Sequence, residues 1–166
     1  MDGAFVSRLS PYLRWGNISV RQVWHAALAA NAPWKDTVKF IKELGWREFS
    51  HHIAWHFPHL PRHNLKPNMD GFPWAENEAD LTAWQQGKTG VPIVDAAMNE
   101  LKQTGYMHNR ARMMCGSFLV KNILTHWHHG EAWFWDRLVD ACPANNTASW
   151  QWIAGCGADA APYFRI

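Results

Sequence analysis

"PIVDAAMNELKQTG", Pro92 to Gly105, is the stretch whose reading decides the fold. Proline suits the first turn of a helix, where its missing N–H has no partner to lose. Glycine suits the far end, where the backbone turns left-handed. The two residues therefore bracket one helix, begun by Pro92 and closed at Gly105. Working outward, "EADLTAWQQ" (Glu78 to Gln86) predicts a short helix. In "NISVRQVWHAALAA", Val20, Val23, Trp24, Ala27 and Leu28 recur at helical spacing, with Asn17 or Ser19 able to cap the start. After Pro33, the positions Val38, Ile41, Phe49 and Ile53 keep one apolar face until Pro58 stops it, and "PHLPRHNLKPNMDGFP" follows as a proline-rich loop. "HNRARMMCGSFLVKNILTHW" (His108 to Trp127) predicts one long helix ending before Gly130. Alternating β-branched runs are few, so the fold class expected is all-α, without internal repeats or low-complexity segments.

A chain of 166 residues fits one domain, able to bury roughly two-thirds of its unfolded surface. Its 12 tryptophans far exceed ordinary usage. Most are expected in the core, and some against a planar ligand, since an indole stacks well on flat rings. A net charge of +2 does not by itself argue for nucleic acid, which needs a clustered patch. Cys115, Cys142 and Cys156 have neither the even count of a disulfide framework nor zinc spacing. With no apolar leader or membrane-length run, the expected location is the cytoplasm, and the glycosylation-like patterns at Asn17 and Asn145 carry no meaning.

Two helical faces collect chemistry. In "ELGWREFS" the i, i+3, i+4, i+7 positions are Glu43, Trp46, Arg47 and Ser50, a carboxylate, an indole and a guanidinium side by side. In "MHNRARMM" and beyond, the same spacing aligns Asn109, Arg112, Met113 and Gly116, with Arg110 to one side. A solvated Glu–Arg pair and ordinary helix packing are the plainer readings of these faces. Gly116 costs about 1 kcal/mol against alanine inside a helix, so something is expected to approach the backbone there. His52 and His56 have the i, i+4 spacing of a metal pair but lack the following Glu and a third ligand, so no metal is expected. "HWHHG" (His126 to Gly130) reads as a helix C-terminus, where histidine suits the negative end of the dipole. "GCGADA" mimics a dinucleotide fingerprint without its strand context.

Taken together, "SRLSPYLRWGNIS", "ELGWREF", "WQQGKTGVPIVDAAM", "MHNRARMM", "SFLVKNIL", "NNTASWQW" and "GADAAPYFRI" resemble the FAD-binding domain of the DNA photolyase and cryptochrome family, most closely the bacterial members that repair cyclobutane pyrimidine dimers. The resemblance runs nearly end to end, in the family's order. It implies a helical domain holding a U-shaped FAD below a cavity for a flipped-out dimer. Ser7, Arg8, Leu9 and Ser10 are then expected at the FAD phosphates, with Val6 where the family usually has Thr. Phe40, Arg47, Asn109, Arg112, Asp140 and Ala141 are expected around the cofactor, with Arg112 and Asp140 paired beside the ring. Asn146 is expected at the flavin N5. Cys142 stands where the family commonly carries a second Asp, so its backbone rather than its side chain is placed at the flavin. Glu43, Trp46, Arg47, Asn109, Arg110, Met113 and Trp152 are expected to meet the lesion and its DNA backbone.

The implied activity is that of a deoxyribodipyrimidine photolyase, a carbon–carbon lyase in which reduced FAD (FADH⁻) lends an electron to the dimer under light. Trp150, Trp127 and Trp74 match the family's tryptophan chain to the flavin. Trp150 is expected to face the flavin together with Asn146, one helical turn away, while Trp152 points toward the lesion. The expected partner is dimer-containing DNA and the expected state a monomer. The rival readings are a cryptochrome-type blue-light photoreceptor and a flavin-free helical DNA-binding module. Against the family's length, residues 1–166 are expected to be a fragment incomplete at both ends, without the N-terminal α/β antenna domain or its chromophore.

Overall fold

The computed structural model describes residues 6–159. Residues 160–166, most of the "GADAAPYFRI" motif, lie outside the described residues, as do residues 1–5. Every regular element among the described residues is helical: α1 (Ser10–Arg14), α2 (Val20–Ala29), α3 (Trp34–His56), a 3₁₀ turn (Pro67–Met69), α4 (Glu78–Gln86), α5 (Pro92–Thr104), α6 (Asn109–Ser117), a π-helical turn (Phe118–Asn122), α7 (Trp127–Arg137) and α8 (Pro143–Ala154). No helix among them is long and apolar enough to cross a membrane.

Local chemistry accounts for most boundaries. Ser19 starts α2 with a reciprocal capping box: its hydroxyl accepts from the Gln22 backbone N–H, and its own N–H donates to the Gln22 side chain. Asn77 caps α4 by accepting from the N–H groups of Ala79 and Asp80. The turn into α5 is organised by the Asp95 carboxylate, which accepts from the Thr89 hydroxyl and from the N–H groups of Thr89 and Gly90. These donors, the Thr89 hydroxyl foremost, hold its pKa below the usual carboxylate range against a smaller desolvation effect. Gly105 ends α5 at φ 67°, a left-handed conformation that also lets its carbonyl accept from the Val139 N–H at 2.8 Å.

The core forms where Val94, Ala97, Met98 and Leu101 of α5, which packs on α4 and α6, join one buried cluster with residues of α7 and α8. Fully burying side chains such as Met98 and Leu101 contributes about 1.5–3 kcal/mol each. An aromatic knot fills the centre. Trp84 stacks on Phe134 at 5.9 Å, Phe134 meets Trp150 edge-on at 5.0 Å, and the Trp84 indole N–H donates to the Cys115 carbonyl at 2.9 Å. Gly116 is explained by helix packing: a Cβ there would lie 3.1 Å from Ile153 and 3.5 Å from Trp150, both on α8.

The segment His108–Trp127 is not one helix. After Ser117 it widens into the π-helical turn, breaks through Leu124 at φ 55°, and restarts as α7. Gly130 therefore lies inside α7 instead of ending a helix. It is small because α8 presses on it: a Cβ there would fall 2.5 Å from Trp150 Cζ3 and 2.6 Å from Leu119 Cδ2. The histidines of "HWHHG" consequently sit at a helix N-terminus, the opposite end from that expected. His126 is the N-cap, its Nδ1 accepting from the His128 N–H at 3.2 Å. A ring that must accept there cannot carry a proton on that nitrogen. The apolar face of α3 is also only partly covered. Leu44 and Ile53 are buried and Val38 and Ile41 half-buried, but Phe49 turns outward and meets Trp46 edge-on at 5.9 Å.

Substituting Gly130→Ala is expected to destabilise the fold by about 1–3 kcal/mol through overpacking, read as a lower urea midpoint at unchanged m value. Gly45→Ala, where nothing lies within 4 Å of the added carbon, should instead stabilise α3 by roughly 0.5–1 kcal/mol. A Gly130→Ala protein as stable as the parent would contradict the packing described.

Burial, reinforced by His128 and His129, pushes the His126 imidazole down to about 4. Its unfolded counterpart titrates near ~6.5. Between these values the unfolded chain binds a proton that the folded chain refuses, so stability is complete above ~6.5 and falls as pH falls toward ~4. The slope is at most ~1.4 kcal/mol per pH unit, reduced by solvent screening of this half-buried ring. His126→Asn keeps a cap acceptor and should flatten the stability profile across that window; an unchanged profile would show that His126 takes up its proton without unfolding.

Candidate active site

One cavity of about 1010 Å³ opens between α1, α3, α6 and α8. Apart from two tryptophans it gathers all the expected site residues: Ser7, Arg8, Leu9 and Ser10 before and at the start of α1; Phe40, Glu43, Trp46 and Arg47 on α3; Asn109, Arg110, Arg112 and Met113 on α6; Asp140, Ala141 and Cys142 in the link to α8; Asn146, Trp150 and Trp152 on α8. The two faces read at i, i+3, i+4, i+7 on α3 and α6 thus face the same space. Arg8, Arg14, Lys39, Arg47, Arg110 and Arg112 line it against Asp36, Glu43, Asp140 and Asp159, so positive charge that is weak overall is concentrated here.

Arg112 and Asp140 form the best-defined polar contact in the wall. An Arg112 Nη donates to Asp140 Oδ2 at 2.8 Å, and its Nε donates to the Met107 carbonyl at 2.8 Å. The Asp140 side chain is nearly fully buried, and its second oxygen, Oδ1, has no hydrogen-bond partner. An unpaired buried carboxylate oxygen at a cavity wall costs free energy unless a donor meets it there. Asn146 is oriented by its own partner. Its Nδ2 donates to the Glu131 carbonyl at 2.9 Å, which commits the donor end to α7 and leaves Oδ1 as the acceptor for a ligand. Below it, the Thr147 hydroxyl donates to Glu131 Oε1. Burial raises the pKa of that carboxyl, an effect this hydrogen bond opposes.

Arg47 has less freedom than its position suggests. It pairs with Glu48 and donates to the Leu13 carbonyl at 3.3 Å, tying α3 to α1. Arg14 and Trp15 complete that rim by donating to the carbonyls of Ala141 and Val139. Arg8 holds φ 50°, rare for a side chain other than glycine, with its guanidinium 5.3 Å from the Tyr106 ring. Trp46 stands 53% exposed on α3, a flat apolar surface open to the cavity. Trp150 is buried and Trp152 half-buried, so the two indoles of α8 differ in depth.

Trp127 and Trp74 lie away from the cavity lining. Trp127 is fully buried, one turn from Gly130 on α7. Its ring stacks on His126 at 5.7 Å, and His126 meets Trp74 at 5.2 Å, so aromatic contacts run outward from Trp127. The Trp127 indole N–H donates to Asn64 Oδ1 at 3.0 Å. His52 and His56 face each other at 4.4 Å on exposed positions of α3. Among the described residues no group of three or more His, Cys, Asp or Glu could hold a metal.

Gln151 escaped the sequence reading. It is fully buried. Its Nε2 donates to the carbonyls of Leu60 and His63, and its Oε1 accepts from the Leu65 N–H, fastening the loop after α3 to α8. The only local signal was an amide between two tryptophans in "WQW", and three bonds to a loop some 90 positions away leave no periodic trace.

Residues 40–166 match the family model described as the FAD binding domain of DNA photolyase. The deoxyribodipyrimidine photo-lyase of Agrobacterium fabrum is 51% identical over 96% of this chain and 34% of its own, and one from Thermus thermophilus is 46% identical over 100% and 39%. A bacterial class III photolyase from Agrobacterium tumefaciens superposes with a TM-score of 0.92 at 51% identity, covering 97% of this chain and 34% of that one. A Synechocystis cryptochrome reaches 0.89 at 34% identity over 98% and 35%. The chain spans about a third of the length of these relatives. An all-helical body, a family match over most of the chain and identities near one half leave one placement: the chain belongs to the family of FAD-binding domains of DNA photolyase.

Proposed function

We propose that the cavity binds FAD and that the protein splits cyclobutane pyrimidine dimers in DNA under light, as a deoxyribodipyrimidine photolyase. The observation that carries this reading is the convergence, on one cavity large enough for a dinucleotide, of two indole faces, an acceptor amide and a half-satisfied buried ion pair. The names of the relatives support it. When bound, reduced FAD supplies an electron to the dimer on excitation and takes it back after the ring opens, so the chemistry needs no general base.

The residues fit such a group. Asn146 offers Oδ1 as acceptor to an N–H at the flavin N5, with Nδ2 already held by α7. Asp140 Oδ1 lacks a donor that a flavin ring N–H supplies, while Arg112 beside it balances the charge of an anionic reduced ring. Ser7, Arg8, Leu9 and Ser10 hold the phosphates with hydroxyl, guanidinium and backbone donors. Phe40, Arg47, Asn109 and the Ala141–Cys142 backbone close around the cofactor. Trp46 and Trp152 pack on the splayed bases of a flipped dimer, with Met113 and Asn109 at its edge. Glu43 accepts from the base edge, and Arg110 grips a backbone phosphate. Dimer-containing DNA is the partner. Trp150, Trp127 and Trp74 carry electrons to the flavin from an external reductant. A protein acting on chromosomal DNA would work as a soluble cytoplasmic monomer. A photoreceptor role would use the same fold; the repair reading rests on Glu43, Trp46, Met113 and Trp152 lining one cavity together.

In flavin titrations followed by absorbance, Asp140→Asn and Arg112→Leu should each weaken FAD binding by about 2 kcal/mol or more, near thirtyfold, because each leaves one half of a largely buried pair without its partner. Unchanged affinity in both would remove the pair from the flavin site.

With FAD bound and reduced, Trp46→Ala should lower affinity for dimer-containing DNA by about 1–3 kcal/mol while leaving the flavin spectrum intact. Trp150→Phe should abolish photoreduction of oxidised flavin yet keep repair by chemically reduced protein. Flavin-loaded protein that removes no dimers from irradiated DNA under blue light would exclude repair and favour the photoreceptor.

A further inference from the structure

Cys142 is the N-cap residue of the 12-residue helix α8, but its side chain does no capping. It lines the cavity instead. Its Sγ lies 3.6 Å from His51 Nε2 on α3. His51 Nδ1 is 2.9 Å from the Arg47 carbonyl, which can only accept, so the ring proton sits on Nδ1 and Nε2 presents a lone pair to the thiol. From another side, Asn145 Nδ2 donates to Sγ at 3.2 Å. A base, a donor able to stabilise a thiolate, and the positive end of a helix thus meet at one sulfur. Cys115 and Cys156 differ. All three thiols are buried, Cys142 to 7% exposure, but Cys115 and Cys156 do not line the cavity, both point at backbone carbonyls (Val94 and Gln151), and burial pushes both up to about 12.

We propose that Cys142, with His51 as base and Asn145 as donor to sulfur, is a hydroperoxide-reactive thiol in the wall of the cavity. Sulfur attacks one peroxide oxygen, the S–O bond forming as the O–O bond breaks. The thiol proton passes to His51 Nε2 and from there to the departing oxygen. With hydrogen peroxide the products are a sulfenic acid and water; sulfur gives up two electrons and the peroxide gains them. The added oxygen narrows the cavity at the start of α8, and a dithiol reductant restores the thiol. Thiol reactivity is independent of the flavin reading.

The test begins with flavin-free, folded full chain. Brief exposure to limiting iodoacetamide, followed by peptide mass spectrometry, should label Cys142 at least about tenfold faster than Cys115 or Cys156. His51→Phe should slow Cys142 about tenfold and Asn145→Ala by a smaller factor, with the other two unchanged. Hydrogen peroxide followed by dimedone should mark Cys142 alone, and dithiothreitol before dimedone should erase the mark. Labelling of Cys142 no faster than Cys115 and Cys156 overturns the proposal. So does a rate indifferent to Asn145→Ala and, where circular dichroism shows that it folds, to His51→Phe. Selective labelling without FAD uptake leaves the thiol standing and removes the flavin reading; FAD uptake without selectivity does the reverse.

Discussion

The contact between Trp150 and the bare backbone of Gly130 sets the distance between α7 and α8, and α8 is, after α3, the largest contributor to the cavity wall. A single methyl group at Gly130 would have to displace an indole already locked between Trp84 and Phe134. Interiors packed near crystal density cannot absorb such a shift locally. From this contact the helix is pinned at both ends. Asn146 hydrogen-bonds the α7 backbone one turn before Trp150, and Gln151 takes three bonds from the loop after α3 immediately behind it. The amide expected to meet the flavin is therefore oriented by the same helix pair that seats the core.

What could be read from sequence follows from the range of the interactions. Pro92 and Gly105 delimit α5 because proline's missing N–H and glycine's left-handed backbone act within one turn. The residues Glu43, Trp46, Arg47 and Ser50 share a face because helical geometry demands it, and the structure turns that face to the cavity. The break after Ser117 was not legible. Apolar residues continue through Phe118, Leu119, Val120, Ile123 and Leu124 with no proline or glycine, and the π-helical turn arises where Leu119 and Val120 must both reach the core. Misplacing that break reversed the polarity of the histidine cluster, from the end of one helix to the start of the next. That α3 and α6 face each other was likewise invisible to periodicity. The family resemblance implied it, through motifs far apart in the chain.

The cavity is electrically unbalanced by design of its partners. Arg112 is half satisfied by a backbone carbonyl and half by Asp140, and Asp140 keeps one oxygen without a donor. A buried pair of this kind stabilises little by itself, because desolvation consumes most of the attraction. Its value lies in fixing a charge and an acceptor where a polar ring can complete them. Arg47 shows the contrary case. Its hydrogen bond to the Leu13 carbonyl ties α3 to α1 at the cavity's rim and its ion pair is with its neighbour Glu48, so much of the guanidinium is already engaged.

The excess of tryptophan is then best understood by depth and not by a division into core and function. Trp84 and Trp127 are wholly buried and satisfy their N–H groups on a carbonyl and an amide, as an indole in a core must. Yet Trp127 also continues through His126 to Trp74 by ring contacts of 5.7 and 5.2 Å. The electron route proposed above would therefore draw on rings that already pack the core. Trp46 meets the opposite requirement. Half of its surface stays uncovered, and unlike the more exposed Trp55 and Trp34 it lines the cavity, which makes it the indole placed to meet the flat partner proposed above.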